Sequence, residues 1–148
     1  TAFPEVRLKQ FIEMRGADSG PWANICALPA LWVGILYDDA ALAEAEALSA
    51  HITADDVINA RLSVATNGLN GQLAGADVYH LAARLLEIAT DGLRRRGICD
   101  DGGNDETGFL QPLKTIIETR KTPADVMLDL YRQEWGSDID QVFTANQY

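Results

Sequence analysis

The amino-acid sequence predicts a mainly α-helical protein of the α+β class, in which one N-terminal strand precedes about five or six packed helices. Residues 5–15 alternate between apolar and charged side chains, which is the two-residue period of a β-strand. Apolar residues between 78 and 93 instead recur every three or four positions, as on the buried face of a helix. Threonine, proline and glycine also stand where helices would begin and end.

The predicted strand has one apolar and one charged face. Its apolar face carries Val6, Leu8, Ile12 and Met14, with Gln10 as an interruption. Its charged face carries Glu5, Arg7, Lys9, Phe11, Glu13 and Arg15. Two glycines and a proline in residues 16–21 predict the loop that ends the strand. Because a lone strand leaves its backbone hydrogen-bonding groups without partners, we expect this one to join a sheet supplied by chain outside this sequence or by another molecule.

Helices are predicted over most of the remaining sequence. Nearly every residue from Trp22 to Tyr37 is apolar, so we expect a helix that is buried on most sides and that kinks or restarts at Pro29. Capping and turn signals place the later helices at about residues 39–50, 54–64, 78–96, 109–117 and 123–135. The arginines at 94–96 suit the dipole at a helix C-terminus, so we interpret them as a solvated helix end rather than a binding patch for an acidic partner.

Composition and charge narrow the class of protein. Of the 148 residues, 47% are hydrophobic and 23% are charged, which is typical of a soluble globular chain. A formal net charge of −10 argues against a surface for nucleic acid or an anionic membrane, although a few cations in a cleft are enough for a nucleotide site. Two cysteines are too few for a disulfide scaffold, and no stretch resembles a signal peptide, so we expect a cytoplasmic or organelle-matrix protein rather than a secreted one. The start at Thr1 rather than at a methionine indicates a fragment.

The charged face of the strand carries the candidate chemistry. Glu13 and Arg15 are two residues apart, so on a strand their side chains leave the same face about 7 Å apart. That spacing lets a carboxylate bind Mg²⁺ while a guanidinium reaches a phosphate oxygen that the metal also touches. Lys9 and Arg7 extend the positive stripe along this face, away from Glu13 and Arg15. The alternative is a solvated strand face with ordinary cross-strand ion pairs.

Several stretches of this sequence together resemble one protein family. They are Phe3-Pro4-Glu5-Val6-Arg7-Leu8-Lys9, Ile12-Glu13-Met14-Arg15-Gly16-Ala17-Asp18, Gly20-Pro21-Trp22, Cys26-Ala27-Leu28-Pro29-Ala30, Trp32-Val33-Gly34 and Leu36-Tyr37-Asp38, with weaker similarity at residues 91–97, 122–124 and 134–143. The family that they resemble is the glutamate–cysteine ligases of plants and many proteobacteria. One departure is that Ala23 and Asn24 follow Trp22, where many members carry two arginines.

The resemblance implies a division of the chain and roles for three residues. Family members are much longer, so residues 1–22 would be the last strand and loop of a catalytic sheet like that of glutamine synthetase, and residues 23–148 a helical C-terminal region. By similarity to the Glu-x-Arg pair of that sheet, Glu13 would be a Mg²⁺ ligand and Arg15 would contact the transferred phosphate or the glutamate carboxylate. Phe11 stands where glutamine synthetase has a basic residue, so that contact would have to come from elsewhere, with Lys9 as the candidate.

The resemblance also implies a reaction and its partners. ATP would phosphorylate the γ-carboxylate of L-glutamate, and the amine of L-cysteine would attack the γ-glutamyl phosphate, with Mg²⁺ as cofactor, in a bacterial cytoplasm or an organelle matrix. The implied protein partner is the upstream catalytic domain, so the chain alone would be inactive, and neither nucleic acid nor membrane is expected to bind. Two alternatives stay open. One is a carboxylate–amine ligase of the same superfamily with another amine acceptor, and the other is a non-catalytic helical interaction module.

Overall fold

A computed structural model describes residues 6–17 and 20–145 of the chain. Its strands are β1 (Val6–Leu8), β2 (Ile12–Met14), β3 (Gln72–Leu73) and β4 (Ala76–Asp77), and its α-helices are α1 (Trp22–Leu36), α2 (Asp39–Ser49), α3 (Ala54–Asn67), α4 (Val78–Arg96), α5 (Gln111–Thr119), α6 (Pro123–Gln133) and α7 (Gln141–Ala145). Two short 3₁₀ helices cover Gly68–Asn70 and Glu106–Leu110. The prediction of a mainly α-helical fold with a small β component is confirmed. The helix beyond the predicted six is α7, which is five residues long and lies where the sequence shows no strong pattern.

The N-terminal region is a hairpin rather than the single strand predicted over residues 5–15. Strands β1 and β2 pair antiparallel, with Val6 opposite Met14 and Leu8 opposite Ile12. In the turn between them, the backbone N–H of Lys9 donates to the carbonyl of Phe11 at 2.9 Å. The chain folds back because two short strands can satisfy each other's backbone groups, which one strand cannot do alone.

Parts of the N-terminal predictions lie outside the described residues. These are Glu5 on the predicted charged face and Asp18 and Ser19 in the predicted loop. Within the described part of the chain, β1 and β2 form a two-stranded sheet, so the prediction that this region joins a larger sheet stays a prediction.

Helices α1 and α4 form the centre of the hydrophobic core. Helix α1 continues through Pro29, so no new helix starts there as the sequence had suggested. The core cluster contains Ala30, Ile35, Leu86, Ala89, Leu93 and Leu110, and side chains of α5 pack against it. The two helices approach most closely at Gly34 and Gly92, where an added Cβ on either residue would meet the backbone of the opposite helix. This crossing therefore requires the absence of a side chain at both positions.

Side-chain caps begin three of the helices that the sequence predicts, and a glycine ends a fourth. Asp38 caps α2 by accepting a hydrogen bond from the backbone N–H of Ala41 at 2.8 Å. A capping box begins α3 at Thr53, and an equivalent one begins α6 at Thr122. Gly97 ends α4 in the left-handed conformation, with φ of 64°. Local hydrogen bonding thus sets where these helices begin and end, largely independently of the core.

A helix that spans a bilayer needs about 20 consecutive, mostly apolar residues. No single helix in residues 6–17 and 20–145 is both long and apolar enough to cross a bilayer. Helices α1 and α2 meet the length and composition only when taken together, and they are bent by 94° relative to each other.

Candidate functional site

The candidate site is the charged face of the β1–β2 hairpin, which we define as Arg7, Lys9, Glu13 and Arg15. Arg7 lies directly opposite Glu13 in the antiparallel register, so both side chains leave the same face of the hairpin. The Nε of Arg7 donates to Oε2 of Glu13 at 2.6 Å. The Nζ of Lys9 lies 3.6 Å from the same oxygen. The hairpin therefore gathers two cations around one carboxylate.

Three cations determine the ionisation of Glu13. The hydrogen bond from Arg7 is the main cause that lowers the pKa of the Glu13 carboxyl, and the charges of Arg7, Lys9 and Arg15 lower this pKa further. Glu13 is therefore ionised at neutral pH, and its side chain remains 30% exposed. Cations therefore gather at this hairpin although the whole chain carries a net charge of −10. Clustered cations attract anions.

The structure brings both Arg7 and Lys9 close to Glu13, whereas the sequence predicted a positive stripe that leads away from it. Sequence analysis placed Arg7 on the same face but far from Glu13, because six residues along one extended strand span about 20 Å. Gln10, the polar residue that breaks the apolar alternation, lies in the turn and is the signal that would have predicted a hairpin. A cross-strand ion pair at Glu13 is also what the solvated-face alternative predicts, so the roles of Glu13, Arg15 and Lys9 stay predictions.

The charged face can supply one ligand to a magnesium ion. Mg²⁺ in proteins is bound by oxygen atoms, often one or two carboxylates together with substrate phosphates. Glu13 fits that requirement because its carboxylate is ionised and partly exposed. Across the part of the chain that the structure describes, no three or more His, Cys, Asp or Glu residues are grouped closely enough to hold a metal ion. A magnesium site that includes Glu13 would therefore need further ligands from nucleotide or from other parts of a longer protein.

The arginines that end α4 are each paired with a carboxylate. Arg94 lies 3.1 Å from Asp91 and Arg95 lies 2.8 Å from Asp38. Arg96 lies 3.2 Å from Glu106. The pairs of Arg95 and Arg96 connect α4 to the start of α2 and to the second 3₁₀ helix, so we assign these side chains to the stability of the helical core.

The acidic segment of residues 100–106 is a turn organised by its own side chains. Oδ1 of Asp100 accepts hydrogen bonds from the backbone N–H groups of Gly102 and Asn104, both at 2.9 Å. The side-chain amide of Asn104 also donates to Asp100, and this is the main cause that lowers the pKa of the Asp100 carboxyl. These internal hydrogen bonds account for the acidic side chains without any bound ligand.

Comparison with known proteins places these features in a family context. The family model described as "Glutamate-cysteine ligase family 2 (GCS2)" matches residues 1–145. The chain is 43% identical over 148 residues to the chloroplastic glutamate–cysteine ligase of Nicotiana tabacum and 44% identical to that of Arabidopsis thaliana, and it spans 27% of the length of each. It is 41% identical to the chloroplastic glutamate–cysteine ligase A of Oryza sativa subsp. indica and spans 29% of that protein. In all three comparisons the whole of this chain is covered.

Proposed function

The chain belongs to glutamate–cysteine ligase family 2, and we propose on this basis that it is part of an enzyme that joins glutamate to cysteine at the expense of ATP. The observation that carries the proposal is the family match, which extends from residue 1 to residue 145 and includes the charged face of the hairpin. Because the chain spans 27–29% of the length of the relatives compared above, the proposed activity is that of a longer protein.

The proposed reaction has two steps that a positively charged site would assist. ATP transfers its γ-phosphoryl group to the γ-carboxylate of glutamate, which turns a poor leaving oxygen into phosphate. The amine of cysteine then attacks the acyl carbon and phosphate departs, leaving γ-glutamylcysteine. Both steps move negative charge onto phosphate oxygens, so catalysis depends on cations and Mg²⁺ that are already in position.

In this proposal the charged face of the hairpin provides one carboxylate and several cations. Glu13 is one ligand of Mg²⁺, which when bound neutralises phosphate charge. Arg15 binds the transferred phosphate or the carboxylate of glutamate. Lys9 adds a compact charge to the phosphate site from the hairpin turn, and its Nζ already lies 3.6 Å from the Glu13 carboxylate. The shared face and the ionised carboxylate support this assignment.

The proposed protein partner is the catalytic domain that occupies the remaining length of the relatives. The apolar side of the hairpin supports this, because Val6, Leu8 and Ile12 are 52%, 81% and 55% exposed. Trp22 and Phe109, which line a groove of about 500 Å³, are 72% and 54% exposed. Large apolar side chains exposed to this extent support an interface with another part of the protein. For location, the relatives compared above are chloroplastic, which supports an organelle matrix.

A substitution at Glu13 in the full-length protein tests the proposed function. We expect Glu13→Gln to lower the rate of γ-glutamylcysteine formation by about 100-fold or more, because the amide removes the charge that would bind Mg²⁺. The rate is measured by mass spectrometry with Mg²⁺, ATP, glutamate and cysteine. The matched control is Glu44→Gln, since Glu44 is also partly exposed and also accepts from an arginine, Arg84, at 2.6 Å. Near-normal activity in Glu13→Gln would remove Glu13 from the metal site.

The same assay separates the two alternative functions. A ligase with another acceptor would consume ATP and glutamate with a different amine, so glycine, alanine and other small amines are tested beside cysteine. A non-catalytic interaction module would turn over ATP with none of them. Either result in the folded full-length protein would contradict the proposal that cysteine is the acceptor.

A further inference from the structure

We propose that Arg7 is a further residue of the nucleotide site and that its guanidinium changes partner. It binds Glu13 when the site is empty and a nucleotide phosphate when Mg²⁺–nucleotide is bound. The inference rests on the proposed function and deepens it, because it assigns a role to a residue that the family resemblance leaves without one. It starts from the register of the hairpin, in which Arg7 and Glu13 are directly opposed.

The geometry shows that Arg7 and a metal ion would compete for the same carboxylate. The Nε of Arg7 is 2.6 Å from Oε2 of Glu13, which is within the range of a short charge-assisted hydrogen bond. A magnesium ion bound to that oxygen would lie about 2 Å from it and would place two positive charges beside the guanidinium. Metal binding at Glu13 therefore requires Arg7 to move away from the carboxylate, or to find negative charge elsewhere.

The triphosphate of a nucleotide supplies that negative charge. Guanidinium groups match phosphate geometry because they can donate two parallel N–H bonds, whereas the ammonium group of Lys9 acts as a single point of charge. Arg7 contacts Glu13 through Nε, and a guanidinium also carries N–H donors on its two terminal nitrogens. The Arg7 side chain is 44% exposed, so it can change partner without leaving a buried charge unpaired. Arg7 thus opposes metal binding alone and favours binding of metal together with nucleotide.

This exchange of partners makes two predictions of opposite sign for one substitution. In Arg7→Gln, the Glu13 carboxylate loses its competing cation, so binding of a divalent ion without nucleotide should become several-fold tighter. Binding of the Mg²⁺ complex of a non-hydrolysable ATP analogue should become roughly tenfold weaker, because a charged hydrogen bond to phosphate is lost. A merely structural role for Arg7 would weaken both.

The test is made by equilibrium binding in the full-length protein. Mn²⁺ binding is followed by electron paramagnetic resonance, and the Mg²⁺–analogue complex is followed by titration calorimetry. Arg84→Gln is the matched control, because Arg84 forms an equally short pair with Glu44 away from the hairpin, and it should leave both affinities unchanged. Arg7→Lys should keep part of the nucleotide affinity because it keeps the charge. In the Glu13→Gln background, removal of Arg7 should no longer tighten Mn²⁺ binding.

Each outcome supports or overturns the inference. Tighter Mn²⁺ binding together with weaker nucleotide binding supports it. Equal weakening of both, or no change in either, overturns it and leaves the proposed function intact, provided that the wild-type protein binds the Mg²⁺ complex. Absence of binding by the folded wild-type protein overturns the proposed function, and this inference fails with it.

Discussion

The close crossing of α1 and α4 makes Gly92→Ala a sensitive test of how the helical core is built. A methyl carbon at residue 92 would lie 2.9 Å from the carbonyl carbon of Gly34 and nearer still to the oxygen of that carbonyl. Ordinary van der Waals contact begins near 3.4 Å. The atoms that must give way belong to the backbone of α1, so no side-chain rotation can relieve the contact and the two helices must separate.

Two opposing terms set the expected size of the effect. Overpacking of a close-packed core costs about 3 kcal/mol when the backbone has to shift. Alanine is a better helix former than glycine, which returns about 1 kcal/mol in the middle of α4. The net loss is therefore about 2 kcal/mol, and separation of the helices would also loosen the contacts of Ala89 and Leu93, which are fully buried.

Native-state amide hydrogen exchange in the full-length protein measures this loss locally. A loss of about 2 kcal/mol corresponds to roughly 30-fold faster exchange for the core amides of α1 and α4. Gly108→Ala is the control, because an added Cβ at residue 108 meets no atom within 4 Å, and it should leave those amides unchanged. If Gly92→Ala exchanged no faster than Gly108→Ala, the close crossing of the two helices would be refuted.

Two further predictions concern the core and the start of α2. Leu110→Ala should destabilise the protein by about 2–5 kcal/mol in urea denaturation, since Leu110 is fully buried, whereas Leu62→Ala at a 77% exposed position should stay within about 0.5 kcal/mol. Hydrogen bonds from Arg95 and from the backbone of Ala41 lower the pKa of Asp38 in the folded protein. The ionised carboxylate therefore stabilises the fold fully above the ordinary Asp pKa of about 3.9. This stabilisation is lost as the pH falls through the lower pKa of the folded state. In Asp38→Asn, stability measured by denaturation should depend less on pH below about 4 than in the wild-type protein.

The sequence predicted most helices because their signals are local. A capping box, a proline at the first helical position or a terminal glycine acts within one turn, so Thr53, Thr122 and Gly97 could be read directly from the chain. The closest helix crossing could not be predicted in this way. Gly34 and Gly92 are 58 positions apart, and only the packed structure shows that they meet.

The sequence predicted which side chains of the hairpin share a face, but not which of them touch. The two-residue period of the sequence predicted that Arg7 and Glu13 share a face, and the hairpin register agrees. The fold of residues 9–11 into a turn depends on pairing between strands, which is a non-local property, and it made Arg7 a hydrogen-bonding partner of Glu13. Sequence periodicity therefore identified the face, whereas strand pairing determined the contacts on it.

The helical core is well packed, whereas the hairpin that carries the candidate site exposes its apolar side. Helices α1 and α4 bury Ala89 and Leu93 completely, whereas Leu8, on the apolar side of the hairpin, is 81% exposed. A two-stranded hairpin with an exposed apolar side is marginally stable in water, and burial of one leucine or valine side chain contributes about 1.5–3 kcal/mol. Packing of another protein segment against that apolar side would therefore stabilise the hairpin. It would also fix the strand register that holds Arg7 opposite Glu13. In the proposed longer protein, packing against the reverse side of the hairpin would therefore set the geometry of the charged face, which would link assembly to the proposed chemistry.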